Sequence, residues 1–120
     1  MSDYMEFFVE QKPNSDKGKG LWYLAVACAA QEKAGIEKWV ANPKDGYMVE
    51  LNFQFIRPKS KPKKQGNDHT VKPDLTRLEI TTLKALEHII IPDVKNIVRV
   101  CKVKRYVTEK EGALIQIWRR

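Results

Sequence analysis

Tyr47-Met-Val-Glu-Leu-Asn-Phe-Gln-Phe-Ile56 is the stretch from which the fold can be read. Tyr47, Val49, Leu51, Phe53 and Phe55 alternate with a set containing Glu50, Asn52 and Gln54. Successive side chains of a strand point to opposite faces, so the pattern predicts a strand with one face in a core and the other turned outward. The chain on either side supplies what could cover that core. Upstream, Asn42-Pro-Lys-Asp-Gly46 reads as a turn, and before it Leu21 to Lys33 is rich in alanine, with Leu21, Leu24, Ala25 and Cys28 at helical spacing and Gly35 placed as a stop. Further back, Lys12 to Gly20 is a turn-rich loop, and Met5 to Glu10 sets Met5, Phe7 and Val9 against Glu6 and Glu10 as a first strand.

Downstream, the composition changes abruptly between Arg57 and Lys72 to Lys, Pro, Gly, Asn and Ser, so residues 57–72 are expected to form an extended basic loop. Pro73 suits the first position of a helix on which Leu75, Leu78, Thr82, Leu86 and Ile89 form an apolar stripe. After Pro92, Ile97 to Tyr106 reads as a strand, Thr108 to Gly112 as a turn, and Ala113 to Trp118 as the partner strand of a hairpin. The sum is an α+β fold in one small domain, residues 1–120, with helices packed on a four-stranded, mostly antiparallel or mixed sheet. A chain of 120 residues has room for one modest core, and 42% apolar against 31% charged residues is the balance of a globular domain.

Several function classes fall away on composition. No apolar run approaches the roughly 20 residues that cross a bilayer, so no membrane partner is expected. The start, Met1-Ser-Asp-Tyr-Met-Glu, does not read as a secretion signal. Cys28 and Cys101 show no CxxC or Cys/His spacing, which predicts two buried free thiols in a reducing cytoplasm, with a single disulfide as the minority alternative. There is no Gly-rich phosphate loop and no Ser/His/Asp arrangement with a nucleophile turn, and His88 reads as a surface residue. What remains is charge: 22 Lys+Arg against 15 Asp+Glu give a net +7 and point to a polyanionic partner.

The densest cations lie in the loop, at Arg57, Lys59, Lys61, Lys63 and Lys64, where two prolines keep the chain extended and the charges presented. A phosphate backbone is their natural partner, because each cation set on a phosphate releases condensed counterions. The bland alternative is a solvated loop that only aids solubility. His69, Lys72, Arg77 and Lys95 extend the candidate DNA-binding set. On the strand from Ile97, Lys102 and Lys104 share one face while Arg99 and Arg105 share the other, so they cannot all meet one ligand. Trp118, Tyr106 and His69 could stack on splayed bases, or simply pack. Among fifteen acids two stand out by position: Asp74 just inside the start of the second helix and Asp93 in the turn before the next strand. Each has a simple capping or turn role; brought together, they could hold Mg²⁺ for attack on a phosphodiester.

The segment KPDLTRLEITTLKALEHIIIPDVKNIVRVCKVKRY, Lys72 to Tyr106, resembles the core of the RusA family of Holliday-junction resolvases. That family shows a KPDxDNL helix start, a DAL-like stretch, an apolar turn, a DDxQ(I/V)V stretch and a strand ending in basic and aromatic residues. The likeness extends more loosely over the whole chain. It implies a homodimer, Mg²⁺-dependent cleavage of four-way DNA junctions, and a cytoplasmic role in a bacterial or phage setting. It also implies that Asp74 and Asp93 are catalytic metal ligands. The carry-over is partial: Thr76 stands where a second acid is expected, Arg77 for the Asn, Lys84 for the Asp of DAL, Val94 for the second acid of the DD pair, and Asn96 for Gln. Losing carboxylates removes both ligands and the negative field that attracts a divalent cation. Two expectations follow: a junction endonuclease working with Asp74 and Asp93, or a catalytically inactive RusA-like protein that binds branched DNA or modulates a partner.

Overall fold

A computed structural model describes residues 3–15, 20–59 and 66–120. The stretch Tyr47–Ile56 is strand β2, and its alternation does what period-two patterning requires: Tyr47, Val49, Leu51, Phe53 and Phe55 are each no more than 2% exposed. Around it lie β1 (Tyr4–Val9), β3 (Ile97–Val107) and β4 (Gly112–Arg119), with helices α1 (Leu21–Glu37) and α2 (Leu75–Leu86) and a short 3₁₀ turn at Val94–Asn96. The sheet order is β1-β4-β2-β3; β4 is antiparallel to both β1 and β2, and β2 is parallel to β3. The expected α+β domain with a four-stranded mixed sheet is therefore present.

Three strands, β1, β2 and β3, run the same way, and β4 alone is reversed. Each helix is thus a crossover between parallel strands and runs back against them. Both lie on the sheet face that carries Met5, Val9, Ile115, Ile117 and the odd-numbered residues of β2. The indole of Trp22 ties the helices together by donating to Thr82 Oγ1 at 2.9 Å in the buried interior. No helix among the described residues is long and apolar enough to cross a membrane.

Four local expectations need correcting. The hairpin expected from residues 97–118 does not form, because β4 slots between β1 and β2 and has no ladder with β3. The cause is composition: Ala113, Ile115 and Ile117 are fully buried and suit an interior strand, whereas β3 carries cations on both faces and suits an edge. On α1 the buried face is Trp22, Val26 and Ala30, while Leu21, Leu24 and Cys28 are exposed. An apolar helix with alanine on most sides offers two stripes of similar spacing, and the large indole takes the core. That helix also runs through Gly35 to Glu37 and stops at Lys38, in the left-handed conformation. Finally, both cysteines are free but exposed, Cys28 on the outer side of α1 and Cys101 on the open face of β3.

Gly112 starts β4 where it must pass the end of β1. A Cβ there would sit 2.0 Å from the Val9 carbonyl oxygen, and φ is +156°, so both space and backbone conformation demand glycine.

Candidate nucleic-acid interface

Because β1, β2 and β3 point the same way, the described parts of the segments that follow their C-terminal ends, residues 10–15, 57–59, 66–74 and 108–111, gather at one pole. In sheets built from parallel crossovers this is the end where ligands are usually held. The described parts of the basic loop obey that geometry at both ends. Arg57 leaves β2 with its N–H on Val107 O at 3.1 Å, and the returning chain is stitched to the edge of β3: Tyr106 N donates to Asn67 O at 2.7 Å and His69 N to Lys104 O at 3.3 Å. The Arg57 guanidinium donates to Asn67 Oδ1 and lies over the Tyr106 ring at 5.1 Å, so the two ends of the loop also hold each other.

Beside this stitch a groove of about 820 Å³ opens between the β1–α1 segment and the start of α2. Lys12, Asn14 and Ser15 form one wall, Lys72 and Arg77 the other, with Asp74 and Lys104 between them. Lys72 and Arg77 are exposed. Lys104 points inward from β3, and its ammonium donates to Val71 O at 2.7 Å and Pro73 O at 2.6 Å. Burial pulls its pKa below the ordinary lysine range, and the Asp74 carboxylate opposes that shift. Its neighbour Lys102 meets Glu79 of α2 at 2.6 Å, so both inward lysines of this edge strand are tied to the helical layer.

Asp74 is the N-cap of α2, one residue before the helix begins and not inside it. Its carboxylate accepts from Thr76 N at 2.8 Å, and its carbonyl accepts from Leu78 N at 3.0 Å. Asp93 is also an N-cap, of the 3₁₀ turn, accepting from Lys95 N at 2.9 Å. The two acids are not brought together within the chain. Asp74 lies at the C-terminal end of β3, beside Lys104; Asp93 precedes its N-terminal end, where Ile97 pairs with Tyr47. A 12-residue helix separates them, roughly 18 Å long at 1.5 Å per residue. Lys95 goes to the far pole with Asp93, and Lys84, in the last turn of α2, lies 3.9 Å from Glu87, away from Asp74.

The residues therefore do not fit a two-carboxylate Mg²⁺ centre in one chain. Asp74 has cations as its neighbours, and among the described residues no three His, Cys, Asp or Glu side chains gather as metal ligands would.

Two further expectations change. His69 is only 7% exposed, stacked on Phe55 with ring centroids 3.9 Å apart and tilted against Tyr106 at 5.0 Å, so it does not offer a face to a base. Burial, and then the nearby Lys104 charge, push its pKa down, leaving it neutral at pH 7. Tyr106 is buried as well; its hydroxyl and His69 Nδ1 lack hydrogen-bond partners among the described residues. Arg57, Lys59, Lys72 and Arg77 stay at the groove pole, whereas Lys61, Lys63 and Lys64 lie outside the described residues. Sequence reading missed Lys12, Asn14 and Ser15, and took Lys104 only as a strand cation sharing a face with Lys102, outside the candidate set. Their signal is topological, since a loop after one parallel strand meets the loops after the others.

The pole is not uniformly basic. On the side of β1 and β4, Glu10, Glu109 and Glu111 accompany Lys110, and Glu111 accepts from Ile56 N at 3.1 Å. The positive surface is the half above β3 and α2, open along the groove. No family model matches the chain, and no curated protein matches its sequence.

Proposed function

We propose that this chain binds branched DNA through the basic half of its C-terminal strand pole, as a RusA-like protein that grips phosphates without cutting them by a metal centre of its own. The observation that carries the reading is the convergence of Lys12, Lys72, Arg77 and Lys104 on one groove, with Arg57 and Lys59 on the adjoining loop. A groove lined by exposed cations on either wall can follow a phosphate backbone, and the Asp74 cap fixes the helix start that presents Lys72 and Arg77. The preference for four-way junctions rests on the likeness of Lys72–Tyr106 to the RusA core, and so does a bacterial or phage cytoplasmic setting. Separation of Asp74 from Asp93 favours binding over cleavage.

The test is a titration of the full chain against a synthetic four-way junction and a matched duplex at 50 and 200 mM salt. With about four phosphate contacts, affinity should fall about 10²-fold between the two. The junction should bind more tightly, and adding Mg²⁺ should change neither value beyond plain ionic screening. Absence of binding at the lower salt sinks the proposal. Junction cleavage with Mg²⁺ or Mn²⁺ that disappears in Asp74→Asn replaces it with the endonuclease reading.

A further inference from the structure

β3 is an edge strand, and its two halves differ in what lies beside them. Along the C-terminal half the chain's own returning loop adds itself as an extra strand: Asp68 stands opposite Arg105 in an antiparallel bridge, with Tyr106 N donating to Asn67 O at 2.7 Å and His69 N to Lys104 O at 3.3 Å. After His69 the chain turns onto the helical side, where the Lys104 ammonium holds the Val71 and Pro73 carbonyls. The added strand stops there, and β3 continues past it. Peptide groups point alternately to the two sides of a strand; those of Lys104 and Tyr106 point outward, so those of Val100 and Lys102 do too. The register with β2 is unbroken from Arg99 to Val107, which keeps the alternation in step. Among the described residues no backbone hydrogen bond reaches Val100 or Lys102 from the outer side.

The side chains of this open stretch select what could pair with it. Arg99 is exposed and makes no ion pair among the described residues, and Val98 and Val103 are 62% and 51% exposed. Cations along an edge repel a second basic strand and attract an acidic one. The bridge already displays the matching pair. Directly opposite residues of an antiparallel pair share a face, so Asp68 lies across from Arg105 on the side of the sheet away from the helices, and Arg99 lies on that same side further along the strand.

We propose that residues 99–102 of the β3 edge dock an extended acidic segment of another protein by strand addition, antiparallel to β3 and in line with residues 67–69. The Val100 and Lys102 peptide groups supply the ladder, as those of Lys104 and Tyr106 do for the chain's own loop. An acid across from Arg99 repeats the Asp68–Arg105 pair, and the residues on either side of it turn to the helical side, beside Val100. The recognised class is therefore a short run of acids alternating with β-branched apolar residues. So small a contact binds weakly, with a Kd on the order of 100 µM. The proposal does not rest on DNA binding: residues 99–102 do not line the basic groove.

The probe is a peptide of about eight residues alternating valine and aspartate, with a valine and lysine peptide of the same length as comparator. Titrated into the full chain and followed by amide NMR, the acidic peptide should saturate and slow hydrogen exchange at Val100 and Lys102 at least about tenfold, while the lysine peptide does neither. Arg99→Glu should weaken the acidic peptide about fivefold and let the lysine peptide bind. Val100→Pro removes an outward N–H without breaking a bond inside the sheet and should abolish docking; if that variant does not fold, the exchange and charge-reversal arms decide. The double variant Lys72→Ala, Arg77→Ala should bind the peptide as the parent does. Loss of the peptide in that double variant, unchanged exchange at Val100 and Lys102, or equal affinity for the two peptides overturns the inference. So does protection of those amides by four-way junction DNA and not by the peptide, which assigns the edge to nucleic acid. Protection that grows with concentration and mass in the chain alone overturns it as well, making β1 of another copy, with its Glu6, the occupant. A chain that docks the peptide and has no DNA affinity overturns the proposed function and leaves the edge site standing.

Discussion

The two poles of this molecule begin with the same local device and end with different surfaces. At each, an aspartate closes the start of a helical segment by accepting the N–H two residues on, at 2.8 Å for Asp74 and 2.9 Å for Asp93. Around Asp74 the chain leaves a groove with lysines and an arginine on its walls. Around Asp93 it closes up: Val94 N donates to Glu87 Oε2, and Asn96 donates to the Pro43 and Asp45 carbonyls. At that same end Arg119 lies over the Trp39 ring at 3.9 Å. A capping aspartate therefore says little about function by itself. What separates the poles is which strand ends they gather and how much of the local polarity is already satisfied within the fold.

The largest effect expected from breaking this contrast is on stability at the closed pole. Trp39→Ala should cost about 3–5 kcal/mol, because it removes a buried ring, its 2.9 Å bond to Ile90 O and the seat of Arg119. Denaturant unfolding measures it, and DNA affinity of the remaining folded protein should be unchanged. At the open pole the effect moves from stability to binding. The double variant Lys72→Ala, Arg77→Ala should lose about 10²-fold in junction affinity at low salt and flatten the salt slope by about two, with little change in unfolding. Lys95→Ala, at the closed pole, is the control and should bind as the parent does.

A pH series sharpens the comparison further. His69 has a folded-state pKa below its unfolded value, so the unfolded chain takes up the proton more readily. Its contribution to stability is complete above the ordinary histidine pKa of about 6.5 and is lost as pH falls from there through the lowered folded value. Unfolding followed from pH 7.5 to 5 should show that loss, and His69→Phe should reduce it. The smallest effects are those of the caps. Asp74→Ala and Asp93→Ala should each cost about 1 kcal/mol, but only Asp74→Ala should also raise DNA affinity, because only it removes a negative charge from among the groove cations.

Much of the architecture is legible in the sequence. The limits of β2 match the alternating stretch residue for residue, and β1, β3 and β4 lie within a residue or two of the expected strands. On α2 the stripe Leu78, Thr82 and Leu86 is buried as its spacing predicts, although Ile89 falls beyond the helix end. The errors share a cause. The choice of face on α1, the apparent hairpin and the role of His69 each depend on what lies across from a segment, and periodicity carries no information about that. The candidate site divides the same way. Arg57, Lys59, Lys72 and Arg77 could be picked out as cations in and beside a loop, but not their joining with Lys12 and Lys104.

By itself the sequence determined the number and kind of elements, the strand that anchors the core and the excess of positive charge, because these follow from side-chain period, turn chemistry and composition, all local or additive. Only the tertiary structure decided that β4 inserts beside β2, that Asp74 and Asp93 stand at opposite ends of α2, and that His69 is sealed between Phe55 and Tyr106. Strand order and direction set which loops become neighbours, and no stretch of chain read along its own length encodes that choice.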